Sequence, residues 1–246
     1  MKKLILFLAL FVCLSSSADS QLLYYQWNPV SSPVTNNLNF IYNNGSTYII
    51  AGNDGKLLYR IVPQLNWNIA ATGTTSNLNS IYGPTNLYSA GTSGTVLRSS
   101  DNGLNWSSVT FPVTNNINSV SSYISQSYRI VCCDGGKIFT TSNQGVNWNE
   151  VPSGTTNSLR NIHFNSSISS SRGYVCGDNG TFLKLVCALP VPVSITVIPM
   201  STGVSNNFNA VVALNDSNNI MLAGSGGMIL KSTNAGASWV QQSSGT

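Results

Sequence analysis

The chain has 246 residues, 11 Lys and Arg against seven Asp and Glu, a formal net charge of +4, and only 7% charged residues. Ala, Glu, Lys and Leu are too scarce for a helical bundle or coiled coil, and low net charge with 9% aromatics argues against charge-driven disorder. The basic residues are thinly spread and form no run, which argues against a nucleic-acid surface.

Lys2 and Lys3 precede an apolar run from Leu4 to Leu14, and small residues from Ser15 to Ala18 follow. This reads as a secretory signal over residues 1–20, cleaved after Ala18 or Ser20, ahead of one domain over 21–246. The run is too short to span a bilayer, and no later stretch approaches spanning length. Lipidation at Cys13 is a weak alternative, because Val12 is bulkier than such sites favour. An extracytoplasmic compartment permits disulfides among Cys132, Cys133, Cys176 and Cys187. One bridge and four buried small apolar side chains stay open as alternatives.

From residue 37 onward the chain repeats. NLNFIY (37–42), NLNSIY (77–82), NINSV (116–120), SLRNIH (158–163) and NFNAVV (207–212) begin five copies, with Leu38, Leu78, Ile117, Leu159 and Phe208 leading. A second anchor follows each: AGNDGKLL, AGTSGTVL, CCDGGKIF, CGDNGTFL and AGSGGMIL, sharing Gly55, Gly94, Gly136, Gly180 and Gly227. Each Gly lies between two short β-type runs and marks a tight hairpin needing positive φ. The third anchor is Trp27, Trp67, Trp106 and Trp148, each eleven residues before the next leading residue. Val197 stands at that place in the fourth copy, and Trp239 opens one more.

Each unit therefore predicts four short strands, in the second copy roughly Leu78–Tyr82, Leu87–Ala90, Thr95–Ser99 and Asn105–Val109. A sheet of about forty residues cannot bury both faces alone, and radial stacking of such sheets solves that. The expectation is an all-β chain: a β-propeller of about five four-stranded antiparallel blades, or part of a larger ring. The Tyr24–Val30 and Ser238–Gln242 segments compete for one outer-strand place in a five-bladed ring.

Before three of the tryptophans stand SSDNGLNW (99–106), TSNQGVNW (141–148) and STNAGASW (232–239). A short Asp or Asn side chain accepts backbone N–H bonds across such a turn, Gly relaxes the backbone, and Trp covers apolar surface on the same hairpin. The pattern resembles the Asp-box, or BNR, repeat. Ser99, Asp101, Gly103 and Trp106 give the best copy. Thr141, Asn143, Gly145 and Trp148, and Ser232, Asn234, Gly236 and Trp239, carry Asn where Asp is usual. The resemblance implies a structural role for these residues. With the forty-residue unit, it extends to photosystem II assembly and stability factors, seven-bladed propellers that chaperone a membrane protein, and more distantly to sortilin domains and xyloglucan hydrolases. It implies a secreted or lumenal, non-enzymatic protein-binding scaffold. A lectin with sugar sites built from Trp and Asn, and a sialidase- or xyloglucanase-type hydrolase, are the alternatives.

A glycosidase needs two carboxylates about 5–10 Å apart. Asp54, Asp134 and Asp178 occupy equivalent hairpin turns, Asp101 belongs to the box, and Glu150 follows a box Trp, which with Asp216 leaves no spare pair. His163, the only His, aligns with Tyr42 and Tyr82 on the innermost strand and lacks partners for a metal or a triad. No catalytic residue, metal or cofactor is expected. The most suggestive column lies four residues after each hairpin Gly: Tyr59, Arg98, Thr140, Lys184 and Lys231, with Arg60 one place on. Arg60, Arg98, Lys184 and Lys231 form the candidate basic surface for an acidic partner, either protein or glycan. Asn39, Asn79, Asn118 and Asn209 form a second column, read as turn or strand-edge bonding. Sequons stand at Asn44, Asn105, Asn165, Asn179 and Asn215.

Overall fold

A computed structural model describes residues 29–84, 86–123, 127–165, 172–188, 194–214 and 218–245. The expected signal segment, Trp27 with most of its strand, Asn215 and Asp216 lie outside these residues. Five antiparallel sheets follow one another along the chain. The first holds β1 (Leu38–Asn43), β2 (Thr47–Gly52), β3 (Leu57–Ile61) and β4 (Asn68–Ala70). The second holds β5 (Leu78–Tyr82), β6 (Leu87–Gly91), β7 (Val96–Ser99) and β8 (Ser107–Val109). The third holds β9 (Ile117–Ser122), β10 (Arg129–Cys133), β11 (Ile138–Thr141) and β12 (Asn149–Val151). The fourth holds β13 (Leu159–Asn165), β14 (Arg172–Gly177), β15 (Phe182–Ala188) and β16 (Ser194–Pro199). The fifth holds β17 (Phe208–Ala213), β18 (Ile220–Gly224), β19 (Ile229–Ser232) and β20 (Val240–Gln242). Each sheet is a blade of a β-propeller, and its first strand is the innermost. Strand β20 pairs with β19, so the C-terminal segment fills the outer place of the fifth blade. Among the described residues no helix is long and apolar enough to cross a membrane.

Alternation along each strand sends apolar side chains to both faces of a blade, and both faces must be covered. The core is accordingly divided among the seams between blades. One cluster joins Ile49, Ala51 and Leu57 of the first blade to Leu78, Ile81 and Leu97 of the second. Equivalent clusters fill the next three seams, built around Tyr88 and Val120, Ile130 and Ile162, and Tyr174 and Val211.

Hydrogen bonds crossing the seams recur in the same register. Every innermost strand has a bulge one residue after its leading residue, for example between Leu38 and Phe40 and between Leu78 and Ser80. A bulge re-aims the side chain of its extra residue. The bulged residues are the Asn column in four blades and Arg160 in the fourth blade. Asn39 Nδ2 donates to Leu78 O at 3.0 Å, Asn79 Nδ2 to Ile117 O at 3.0 Å, and Asn118 Nδ2 to Leu159 O at 2.8 Å. The column therefore bonds one blade to the next.

All five hairpin glycines have positive φ, and so does the residue before each. Turn geometry is half the reason. A Cβ on Gly55, Gly94, Gly136 or Gly180 would lie 1.9–2.0 Å from a carbonyl oxygen of the following blade's linker. Gly55, Gly94 and Gly180 also donate their N–H groups to Ser76 O, Asn115 O and Asn206 O at 2.9–3.1 Å.

The turns before tryptophan share one geometry. Gly103 N–H donates to Ser99 Oγ at 2.9 Å, and Asn105 N–H to Asp101 Oδ1 at 2.9 Å. Thr141 and Asn143, and Ser232 and Asn234, accept the same bonds at 2.8–2.9 Å. Only one Oδ is used for the turn bond, so Asn replaces Asp without loss of it. The residues before Gly, Asn102, Gln144 and Ala235, also have positive φ. Trp106, Trp148 and Trp239 do not simply cover their own hairpins. Each packs against the cluster shared with the preceding blade, because the turn reaches back across the seam.

Candidate functional site

The five innermost strands line a central cavity of about 920 Å³. Bulky and small residues alternate around it, with Phe40, Tyr42 and Tyr82 on one side, Ser119, Ser121 and Asn161 beyond, and His163 toward Val212 and Leu214. Tyr42 and Tyr82 occupy one register position on adjacent blades, and their ring centroids are 5.6 Å apart. Burial, then the neighbouring Tyr82, pushes the Tyr42 phenol above its ordinary pKa, so it stays a neutral donor. His163 follows in the same register, with Nε2 3.1 Å from Ala213 O. Burial pulls its pKa below 6.5, and the carbonyl contact opposes this only in part. Among the described residues the lining carries no carboxylate. The described lining can therefore supply aromatic faces, hydroxyls, an amide and a neutral imidazole to a bound group.

The described carboxylates sit in turns and on an outer strand. Asp134 accepts from Asn116 Nδ2 at 2.9 Å and Asn118 Nδ2 at 2.8 Å. Asp54 accepts from Asn36 Nδ2 at 2.7 Å, and Asp178 pairs with Arg160. Glu150 lies on outer strand β12 and pairs with Lys137 at 2.9 Å. Among the described residues no group of three or more His, Cys, Asp or Glu could hold a metal ion. All four described cysteines are free thiols. Burial raises Cys133, Cys176 and Cys187 to about 12, which leaves little thiolate at neutral pH.

The basic column places one residue on each blade except the third, where Thr140 stands. Arg98 on β7 donates to Gln144 Oε1 of the third blade and to Asn86 Oδ1 of its own blade at 3.2 Å. Arg60 stacks between Tyr48 and Trp67, its guanidinium carbon 4.9 and 5.2 Å from the ring centroids. Lys184 is half-buried and Lys231 exposed. Thus Arg60 and Arg98 are engaged in packing, and the two lysines face a less occupied environment.

One residue of this region was not singled out from sequence. Arg129 is the largest fully buried side chain. Its guanidinium lies 4.6 Å over the Tyr88 ring, and its Nη2 donates to Asn86 O at 2.8 Å. The signal was available: Arg129 stands in the apolar string YRIVCC at the register of Leu87 and Ile220.

No protein-family model and no curated protein sequence matches the chain. Solved structures do. YCF48 from Cyanidioschyzon merolae superposes with a TM-score of 0.66 at 17% identity, over 86% of this chain and 74% of that one. A GH74 enzyme of Niastella koreensis gives 0.66 at 14% identity over 84% of this chain, which spans only 38% of the enzyme. YCF48 bound to a D1 peptide gives 0.49 at 16% identity, over 90% and 85% of the two chains. Likeness at these identities establishes the propeller fold and leaves function to the site itself.

Proposed function

We propose that the chain is a secreted or extracytoplasmic, non-enzymatic propeller that binds another protein, in the manner of an assembly factor. The observation that carries this reading is the central cavity. Five rigid strands present aromatic rings, hydroxyls and amides around about 920 Å³, while the described carboxylates are occupied in turns and on outer strands. Such a surface holds a ligand by shape and hydrogen bonds. The repeated Ser/Thr-x-Asp/Asn-x-Gly-x-x-Trp turns support kinship with Asp-box propellers, and the likeness to YCF48 supports the fold on which the reading rests. Residues 1–20 would direct export. Arg60, Arg98, Lys184 and Lys231 would add a positive field that steers an acidic partner.

The test is retention of solubilised membrane proteins on the immobilised chain, run beside a glycan array. The expected result is one defined protein retained at low salt, with affinity reduced about tenfold by reversing charge at Lys184 and Lys231. Saturable glycan binding with no protein retained would replace this reading with a lectin. Glycoside cleavage abolished by Glu150→Gln would overturn the non-enzymatic assignment.

A further inference from the structure

Arg98 and Arg129 bring two guanidinium groups to the seam between the second and third blades. Arg129 is fully buried over the Tyr88 ring, and it donates through Nη2 to Asn86 O at 2.8 Å and through Nη1 to Tyr128 O at 3.0 Å. Tyr88 is the cross-strand partner of Arg98, and its hydroxyl donates to Gln144 O at 2.9 Å. The two cations sense each other: burial is the main cause that lowers the Arg129 pKa, Tyr88 opposes it, and Arg98 lowers it further. Arg98 is half-buried. Among the described residues its bonds go to neutral amide oxygens, and it forms no ion pair. A guanidinium drawn out of water without a counter-charge is costly.

Arg98 also dictates how its neighbours are turned. Arg offers donors only, so an amide that meets it must turn its oxygen inward and its nitrogen away. Asn86 Oδ1 and Gln144 Oε1 both accept from Arg98 Nη2. Asn86 Nδ2, Gln144 Nε2 and Arg98 Nη1 have no bond among the described residues, and all three reach solvent, whereas Arg98 Nε is buried and unbonded. The seam thus displays open donors from two blades around a cation. The described carboxylates are engaged elsewhere: Asp101 with Ser99 and Asn105, Asp54 and Asp134 with asparagines, Glu150 and Asp178 with Lys137 and Arg160. At the first seam the places of Arg98, Asn86 and Gln144 hold Tyr59, Thr47 and Asn102, so the arrangement is not a by-product of the repeat.

We propose that Arg98, Asn86 and Gln144 form a binding site for a small oxyanion, a phosphate or a carboxylate, at the seam between the second and third blades. An ionised oxyanion presents acceptors and carries the counter-charge that Arg98 lacks, so its oxygens match the open Nη1, Nδ2 and Nε2 donors. Arg129 supports the site from behind: it holds the Asn86 backbone through its carbonyl and adds a second positive charge beneath Tyr88. The two amides come from turns of adjacent blades, so an anion held between them also ties the second blade to the third. The site is separate from the central cavity, whose lining includes none of these residues, and it stands whether or not the cavity binds a protein.

The experiment titrates the chain with inorganic phosphate and, separately, with acetate as a stand-in for a peptide carboxylate. Each replaces chloride at constant ionic strength and neutral pH, and binding is read by calorimetry and by thermal melts. The expected result is one saturable site per chain for at least one of the two anions, with Tm rising as it fills; the tighter anion tells which chemistry the site takes. Gln144→Glu sets a carboxylate where Gln144 Oε1 already meets Arg98. It should raise Tm in chloride alone and weaken the added anion at least about tenfold, because the counter-charge is then supplied from within. Lys56→Gln makes the same change in net charge outside the site and should leave the affinity within about twofold. Three outcomes overturn the proposal. One is no saturable binding of either anion. The second is equal weakening by Gln144→Glu and Lys56→Gln, which would reduce the attraction to net charge. The third is Gln144→Glu melting no higher than the parent chain in chloride, which would show that Arg98 gains nothing from a counter-charge.

Discussion

Gly55→Ala and Gly73→Ala form a matched pair that isolates backbone crowding at a seam. Both glycines have φ of +67°, so a Cβ costs each about 1 kcal/mol in backbone strain. Around Gly73 nothing lies within 4 Å of the added carbon. At Gly55 the Thr74 carbonyl oxygen would be 1.9 Å away, against the 3.4 Å of ordinary contact. The second blade's linker must retreat by about 1.5 Å. That stretches Gly55 N–H to Ser76 O from 2.9 Å and Thr72 Oγ1 to Gly55 O from 2.8 Å, each worth about 1 kcal/mol. Loosened packing of Leu57 and Ala70 adds about 1 kcal/mol. Gly55→Ala should therefore destabilise by about 3–5 kcal/mol and Gly73→Ala by about 1 kcal/mol. For a chain of this size the pair should differ in Tm by about 5–15 °C. Urea denaturation gives the free energies directly. Values agreeing within about 0.5 kcal/mol would refute the claim that the hairpin glycines are required by the neighbouring blade.

Asn118→Ala removes bonds to Leu159 O and Asp134 Oδ1 and should cost about 1–2 kcal/mol in urea; Asn118→Asp should cost more, since it sets a carboxylate against Asp134. Asp101 loses water on folding, which raises its pKa, but bonds from Asn105 and Ser99 outweigh this and hold it below 3.8. Its stabilisation is present above 3.8 and lost as pH falls below it, so Asp101→Asn should be less stable than the parent chain at neutral pH, approach it in acid, and flatten the acid limb of the stability profile. His163 is held neutral below 6.5, so protons favour the unfolded chain and stability falls as pH drops through 6.5. His163→Gln should abolish that component, and an unchanged profile in thermal melts between pH 7 and 5 would contradict its buried placement.

The repeat was legible because each anchor answers a local demand. Gly94 is needed by its own hairpin, Asp101 by its own turn, and Leu78 by its own strand, so spacing alone recovers four strands per unit. The second-copy strands agree with β5 to β8 within about two residues, the usual uncertainty of strand ends. Less was legible where a residue answers to another blade. Nothing near Asn79 in the chain reveals that its amide meets Ile117 O, since the acceptor lies 38 residues on and the bulge that aims the side chain leaves no residue signature. Trp106 was assigned to its own hairpin for the same reason. The role of Arg129 is hidden for the same reason, since its guanidinium lies over Tyr88 of the preceding blade, 41 residues earlier in the chain.

These two kinds of demand bear on what the molecule can do. Local demands make blades, and demands between blades make the ring rigid. The Asn column, the hairpin N–H groups and the apolar clusters all act at the same seams, so β5, β9 and β13 are held from both sides. A cavity lined by such strands has little freedom to close on a ligand, and its chemistry is confined to what is already displayed: the Tyr42 and Tyr82 rings, the Ser119 and Ser121 hydroxyls and the neutral His163. Preorganised surfaces of this type gain affinity by avoiding ordering cost on binding. Loss of one seam bond should therefore weaken a partner bound in the cavity as well as the fold. Asn118→Ala, whose site is on the cavity-lining strand β9, is the variant in which the two effects can be measured together.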